Sequence, residues 1–155
     1  MSLNNEERKE PVQRNVIVVE GYDGTGKTTL ALSLADRLGY RYSKPYAKTG
    51  ELIKFLHENK YYEEAHVVAF RSVEMELAKD SRNIVFDRHW LTPIVYAGEQ
   101  GAHLWGLRKP LTIICTCDES GIRRRLIQRG EQICDNNIKS AEKFLQYAKN
   151  LAYIL

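Results

Sequence analysis

The first apolar run in the chain, Val16-Ile17-Val18-Val19, is unbroken and β-branched, the pattern of a strand buried on both faces of a sheet. A glycine-rich stretch follows, and then Leu30, Leu34 and Leu38 recur at helical spacing with Gly39 placed as a C-cap. Tyr40-Arg41-Tyr42-Ser43 reads as a short strand that runs into a loop through Pro45. The stretch from about Thr49 to His57 reads as a helix, and a longer one from about Tyr61 to Lys79 carries Ala65, Val68, Ala69, Val73 and Leu77 on one broad side. Ile84-Val85-Phe86 is a third buried strand, Ile94 to Gly98 begins another helix, and Leu111 to Cys115 is a fourth strand. Ile122, Leu126 and Ile127 mark a helix from Glu119 onward, and Ile138, Ala141, Leu145, Ala148 and Leu155 mark the last. Strands alternating with helices predict an α/β fold, a parallel sheet of four to five strands flanked by helices on both faces and joined by right-handed crossovers.

Composition narrows the class. A chain of 155 residues is within the range of one domain, here expected over residues 15–155, with the polar stretch 1–14 expected to be a flexible tail. No apolar stretch has the length of a signal peptide or a membrane span, so the expectation is a cytoplasmic protein with no membrane partner. The net charge of +3 is too small to argue for a nucleic-acid partner and suits an enzyme whose substrates are small anions. Cys115, Cys117 and Cys134, an odd number, point to reduced thiols rather than a disulfide framework. Cys115 and Cys117 lie two apart on a strand, which predicts a shared face and a role as small buried hydrophobes. The four histidines show no ligand spacing.

The chemistry is concentrated in Gly21-Tyr22-Asp23-Gly24-Thr25-Gly26-Lys27-Thr28, which fits the phosphate-loop pattern G-x-x-x-x-G-K-[ST] between a strand and a helix. Gly21, Gly24 and Gly26 allow positive φ angles and a close approach of backbone N–H groups to a polyphosphate. Lys27 places a point charge between β- and γ-phosphates, Thr28 offers its hydroxyl to magnesium, and the helix dipole points at the same anion. The expected ligand is Mg-ATP, bound by Gly21, Tyr22, Asp23, Gly24, Thr25, Gly26, Lys27, Thr28 and Thr29, with Mg2+ held by Thr28 and Asp87. Phe86-Asp87-Arg88 ends the third strand, and the carboxyl ends of strands in open α/β sheets face one crevice. There Asp87 can hold magnesium through water or take a proton from an attacking oxygen, and Arg88 can clamp an acceptor phosphate. A structural ion pair at a strand end is the other reading of Asp87 and Arg88.

Taken together, Val19 to Thr29 and Asp87-Arg88 resemble the thymidylate kinase branch of the P-loop nucleoside monophosphate kinases, and the resemblance covers most of the chain from Val16 to Leu155. Ala69-Phe70-Arg71 resembles that family's acceptor-binding helix, and Thr92 to Gly98, with Tyr96, resembles the segment after its Asp-Arg pair. The resemblance implies that Asp23 touches the acceptor sugar hydroxyl, that Arg71 meets the acceptor base or phosphate, and that Asp87 and Arg88 serve the magnesium site and the acceptor phosphate. It also implies that Arg125 and Arg129 belong to an arginine-rich lid at about 123–137. A guanidinium delivered by a closing segment neutralises charge on the transferring phosphoryl group and excludes water. Arg125 and Arg129, four apart, share one helix face, whereas Arg124 is expected to be exposed. Lys44 stands where the family's acceptor loop has arginine, Val67 where it tends to place a stacking phenylalanine, and Ala97 where glutamine is common. Phe70, Tyr46 or Trp90 can supply a stacking surface instead. The family pairs through the helices from about Glu51 to Lys79, which implies a homodimer.

These readings lead to a kinase that transfers the γ-phosphoryl group of ATP to a deoxynucleoside monophosphate, thymidylate first among the acceptors. One alternative is a deoxynucleoside kinase or another small-molecule P-loop kinase, in which Asp87 or Glu20 would act as base on a neutral hydroxyl. Another is a protein that binds nucleotide without turnover.

Overall fold

Three apolar runs and the short Arg-Tyr-Ser stretch form four strands, β1 (Val16–Gly21), β2 (Arg41–Ser43), β3 (Ile84–Asp87) and β4 (Leu111–Cys115). They make one parallel sheet in the order β2-β3-β1-β4. The computed structural model describes residues 14–22, 25–106, 108–117, 119–130 and 135–152. The expected tail (but for Arg14), Asp23, Gly24, residues 131–134 of the expected lid with Cys134, and the chain after Ala152 lie outside the described residues. Among the described residues the helices are α1 (Lys27–Leu38), α2 (Gly50–Glu58), α3 (Tyr62–Ala78), α4 (Leu91–Ala97), α5 (Glu119–Gln128) and α6 (Asp135–Ala152), with one 3-10 turn at Ala102–Trp105. None of these helices is long and apolar enough to cross a membrane.

Alternation along the strands sorts the core into two layers. Val18, Ile84 and Phe86 face α3, α4, α5 and α6, meeting Ala69, Val73, Leu91, Ile94, Leu126 and Phe144. Val19 and Val85 face the other way, onto Ala31 and Ala35 of α1. Small residues let α1 lie close to the sheet, so the buried stripe of this helix is Ala31 and Ala35, while Leu30 and Leu34 flank it and Leu38 is 46% exposed. Cys115 packs with the α1 layer and Cys117 with the opposite one. The predicted shared face fails because β4 stops at Cys115, and a period of two has no meaning beyond the strand.

α4 begins at Leu91, three residues before the sequence pattern places it, with Pro93 inside its first turn. The cause is the fully buried carboxylate of Glu20 on β1. Its Oε1 accepts hydrogen bonds from the backbone N–H groups of His89 (2.7 Å), Leu91 (3.0 Å) and Thr92 (3.2 Å), and its Oε2 accepts one from Thr92 Oγ1 (2.6 Å). A side chain from a distant strand thus does the work of a local N-cap.

Two buried histidines lock the segment after α4 against α3. Trp105 Nε1 donates to His66 Nδ1 (3.2 Å), and because indole nitrogen only donates, the His66 proton resides on Nε2, which donates to the Gly98 carbonyl (2.8 Å). Gly101 has φ +86°, and a Cβ there would come within 3.0 Å of His66 Cβ. His89 packs its ring against Phe86 and Trp105. Burial, helped by the charge of Lys109, pushes the His89 pKa down to about 4, and burial also lowers that of His66. The unfolded chain therefore takes up protons near pH 6.5 that the folded chain refuses, and stability falls as pH drops through that value. For His89 alone the loss at pH 5 is about 2 kcal/mol. Urea denaturation should show it, and His89→Phe should flatten the slope between pH 7.5 and 5. An equal slope in the variant would contradict this.

Candidate active site

The chain leaves β1 toward α1 on one face of the sheet and leaves β3 toward α4 on the other. A crevice therefore opens between the neighbouring carboxyl ends of β1 and β3. Gly21 closes β1 at φ +146°, and a Cβ there would lie 2.6 Å from the Cys115 carbonyl oxygen, so the turn requires glycine. Thr25 Oγ1 donates to the Tyr22 carbonyl (2.7 Å), and Gly26, at φ +82°, starts α1. Among the described residues no side chain caps α1 and no acid occupies its first turn. Its N–H groups and dipole are left directed at an anion.

Lys27 is buried, and its Nζ donates to Asp87 Oδ1 at 2.6 Å. Thr28 Oγ1 donates to Asp87 Oδ2 (2.8 Å), and so does Tyr42 Oη (2.7 Å). Burial acts to raise the Asp87 carboxyl, yet the hydrogen bonds of Lys27, Tyr42 and Thr28 and the lysine charge hold it below the usual range. Tyr42 is pushed well above an ordinary phenol by burial and by Asp87. Arg88 sits in the left-handed region (φ 77°) with its N–H donating to the Val19 carbonyl (3.0 Å), an outlier of the kind that collects at functional sites. Its Nη1 donates to Thr92 Oγ1 (3.1 Å), whose own proton goes to Glu20. The buried carboxylate thereby sets the hydroxyl that orients the guanidinium. Burial drives the Glu20 carboxyl above its usual range, against the opposing pull of Thr92, Arg88 and the backbone N–H groups.

A cleft of about 530 Å³ lies above this crevice, within the size range of small-molecule sites. Lys27, Thr28 and Thr29 of α1, with Tyr22 and Gly26, form one wall. Lys44, Arg88, Arg125, Gln128 and Arg129 form the rest. Arg125 reaches back to the phosphate loop, its Nη1 lying 3.5 Å from the position a Cβ on Gly26 would take. Arg124 is exposed.

Of the sequence candidates, Lys27, Thr28, Thr29, Tyr22, Gly26, Lys44, Arg88, Arg125 and Arg129 line the cleft, and Asp87 lies beneath it. Gly21 and Thr25 shape the loop. Arg71 and Tyr96 are not among the lining residues. Arg71 is exposed on α3 and paired with Glu74 (2.8 Å), while Tyr96 stacks on His57 and meets Phe144 edge-on. Of the three stacking candidates, Tyr46 donates its hydroxyl to the His89 carbonyl (2.6 Å), Trp90 donates to Thr112 Oγ1 (2.9 Å), and Phe70 packs edge-on to Trp105. Motif reading missed Tyr42 and Gln128, which fall in neither the phosphate-loop pattern nor the Asp-Arg pair, and it gave Thr92 no role although it singled out the segment Thr92 to Gly98. Thr28 Oγ1 and the Asp87 carboxylate, in contact through Oδ2, are hard oxygen donors of the kind Mg2+ takes.

The sheet order, the phosphate loop and the helices on both faces define a P-loop kinase fold. The chain belongs to the AAA domain family, whose model matches residues 17–144. No curated protein matches the sequence. Among solved structures, a deoxyadenosine kinase from M. mycoides with bound dATP is similar at a TM-score of 0.63 and 17% identity, over 92% of this chain and 88% of that one. The same enzyme with the products dCMP and a flexible dCDP bound gives a TM-score of 0.59 and 16% identity, over 89% and 85%. At these identities the likeness is one of fold.

Proposed function

We propose that the protein is a kinase that transfers the γ-phosphoryl group of Mg-ATP to a deoxynucleoside monophosphate, with thymidylate the first acceptor to try on the strength of the sequence resemblance. The observation that carries the reading is the charge of the cleft. Lys27, Lys44, Arg88 and the pair Arg125 and Arg129 come from four separate segments to one space, and its described lining residues include no acid. A triphosphate donor and a monophosphate acceptor together call for that much positive charge; a neutral acceptor does not.

Lys27 and the α1 N-terminus bind the donor phosphates, and Arg88, oriented through Thr92, holds the acceptor phosphate in line. Arg125 and Arg129 neutralise charge on the transferring group and keep water out. Bound Mg2+, held by Thr28 and by Asp87 behind it, would supply further neutralisation of the phosphate oxygens.

The second reading, a kinase acting on the hydroxyl of a nucleoside, is favoured by the fold likeness to a deoxyadenosine kinase. It needs a base. Asp87 accepts three hydrogen bonds and lies below the usual carboxyl range, and both oxygens of Glu20 are committed to α4. Arg88→Ala separates the two: it should lower kcat/KM for monophosphate acceptors by about 10- to 100-fold, the loss of a charge-assisted contact, and spare any nucleoside turnover. Equal loss with both acceptor types would count against the clamp.

A further inference from the structure

We propose that Tyr42 is a positioning residue that keeps Asp87 in place when the phosphate loop engages nucleotide, an inference that rests on the Mg-ATP site proposed above. Asp87 has three donors, from Lys27, Thr28 and Tyr42. Two of them have a second task. Lys27 serves the donor phosphates and must loosen its hold on Asp87 to do so, while Thr28 would share its oxygen with the metal and keep only its proton on Asp87. Tyr42 has no such duty. It belongs to β2, outside the loop, and a phenol remains a donor throughout the physiological pH range.

The strand fixes the hydroxyl closely. On one side of Tyr42, Arg41 donates from Nη1 to Glu76 Oε2 (3.0 Å) and from Nη2 to the Glu76 carbonyl (2.6 Å); on the other, Ser43 Oγ donates to the same Oε2 (2.9 Å). Arg41 and Ser43 are thus both tied to α3. Tyr42 alternates to the opposite face, where its ring packs in the α1 layer beside Val85. The ring cannot follow Lys27 as the lysine moves. Tyr42 Oη and Thr28 Oγ1 share Asp87 Oδ2, so the phenol fixes the oxygen nearest the metal-binding hydroxyl. Supporting hydrogen bonds of this kind orient the groups that hold a metal.

The test is the Mg2+ dependence of ATP binding, measured by calorimetry with a non-hydrolysable ATP analogue, for the unsubstituted chain, Tyr42→Phe, Asp87→Asn and the double variant. Tyr42→Phe keeps the ring and its packing, and thermal melts verify the fold. The expected result is a roughly tenfold loss of the affinity gained on adding Mg2+, the worth of one hydrogen bond to a charged group, with affinity in EDTA little changed. In the Asp87→Asn background the same substitution should do nothing further, because Tyr42 acts through Asp87. An unchanged Mg2+ response in Tyr42→Phe, a response absent from the unsubstituted chain, or an equal loss in the Asp87→Asn background would overturn the inference and leave the kinase reading standing. Failure of the unsubstituted chain to bind the analogue at all would sink both.

Discussion

Lys27→Ala is expected to lower the turnover of Mg-ATP with any acceptor by about 10²- to 10³-fold, the scale seen when a preorganised donor to a developing anion is removed. Lys27 is buried and lies where the α1 N-terminus and the cleft meet, so no neighbouring side chain on α1 can substitute for it. The variant also has a structural cost. Breaking a buried ion pair leaves the partner charge uncompensated, which costs about 3–5 kcal/mol where nothing else contacts it. Here Tyr42 and Thr28 remain on Asp87, so the cost should be toward the lower end. ADP release must therefore be normalised to the folded fraction from a denaturation curve. Full turnover in folded Lys27→Ala protein would remove the assigned site.

The second large effect is on stability and comes from Glu20. Glu20→Ala strands three backbone N–H groups and the Thr92 hydroxyl in the core and opens a cavity beside them. Each unsatisfied buried group costs on the order of 1–3 kcal/mol, and partial relaxation limits the sum to about 3–5 kcal/mol. Glu20→Gln keeps an oxygen for the backbone donors and turns only the Thr92 hydroxyl, so about 1 kcal/mol is expected. Urea denaturation of both variants checks the order. Equal, small losses would mean that the carboxylate does not hold the start of α4.

What the sequence reveals and what it hides follow from the range of the interactions. The strands β1, β3 and β4 and the phosphate loop are legible because β-branched runs and the Gly26-Lys27-Thr28 turn are contiguous signals. Arg125 and Arg129 are legible as a pair because helical spacing sets their common face. The start of α4 is hidden, since its cap comes from Glu20, far away in the chain. Leu38 illustrates a different limit: periodicity finds the helix but not the stripe that packs, and the small Ala31 and Ala35 are buried in its stead. Arg71 and Tyr96 sit on helices as expected, but a helix face does not name what it faces. Tyr42 reads as an ordinary strand residue, and only the sheet order, which sets β2 beside β3, brings its hydroxyl to Asp87.

The most direct measurement of the central claim is ADP release from Mg-ATP against matched panels of deoxynucleosides and their monophosphates, with Lys27→Ala alongside. The account predicts turnover with one or more monophosphates, none with the nucleosides, and a 10²-fold or greater loss in the variant. Turnover with nucleosides alone, or none with either panel, would contradict it.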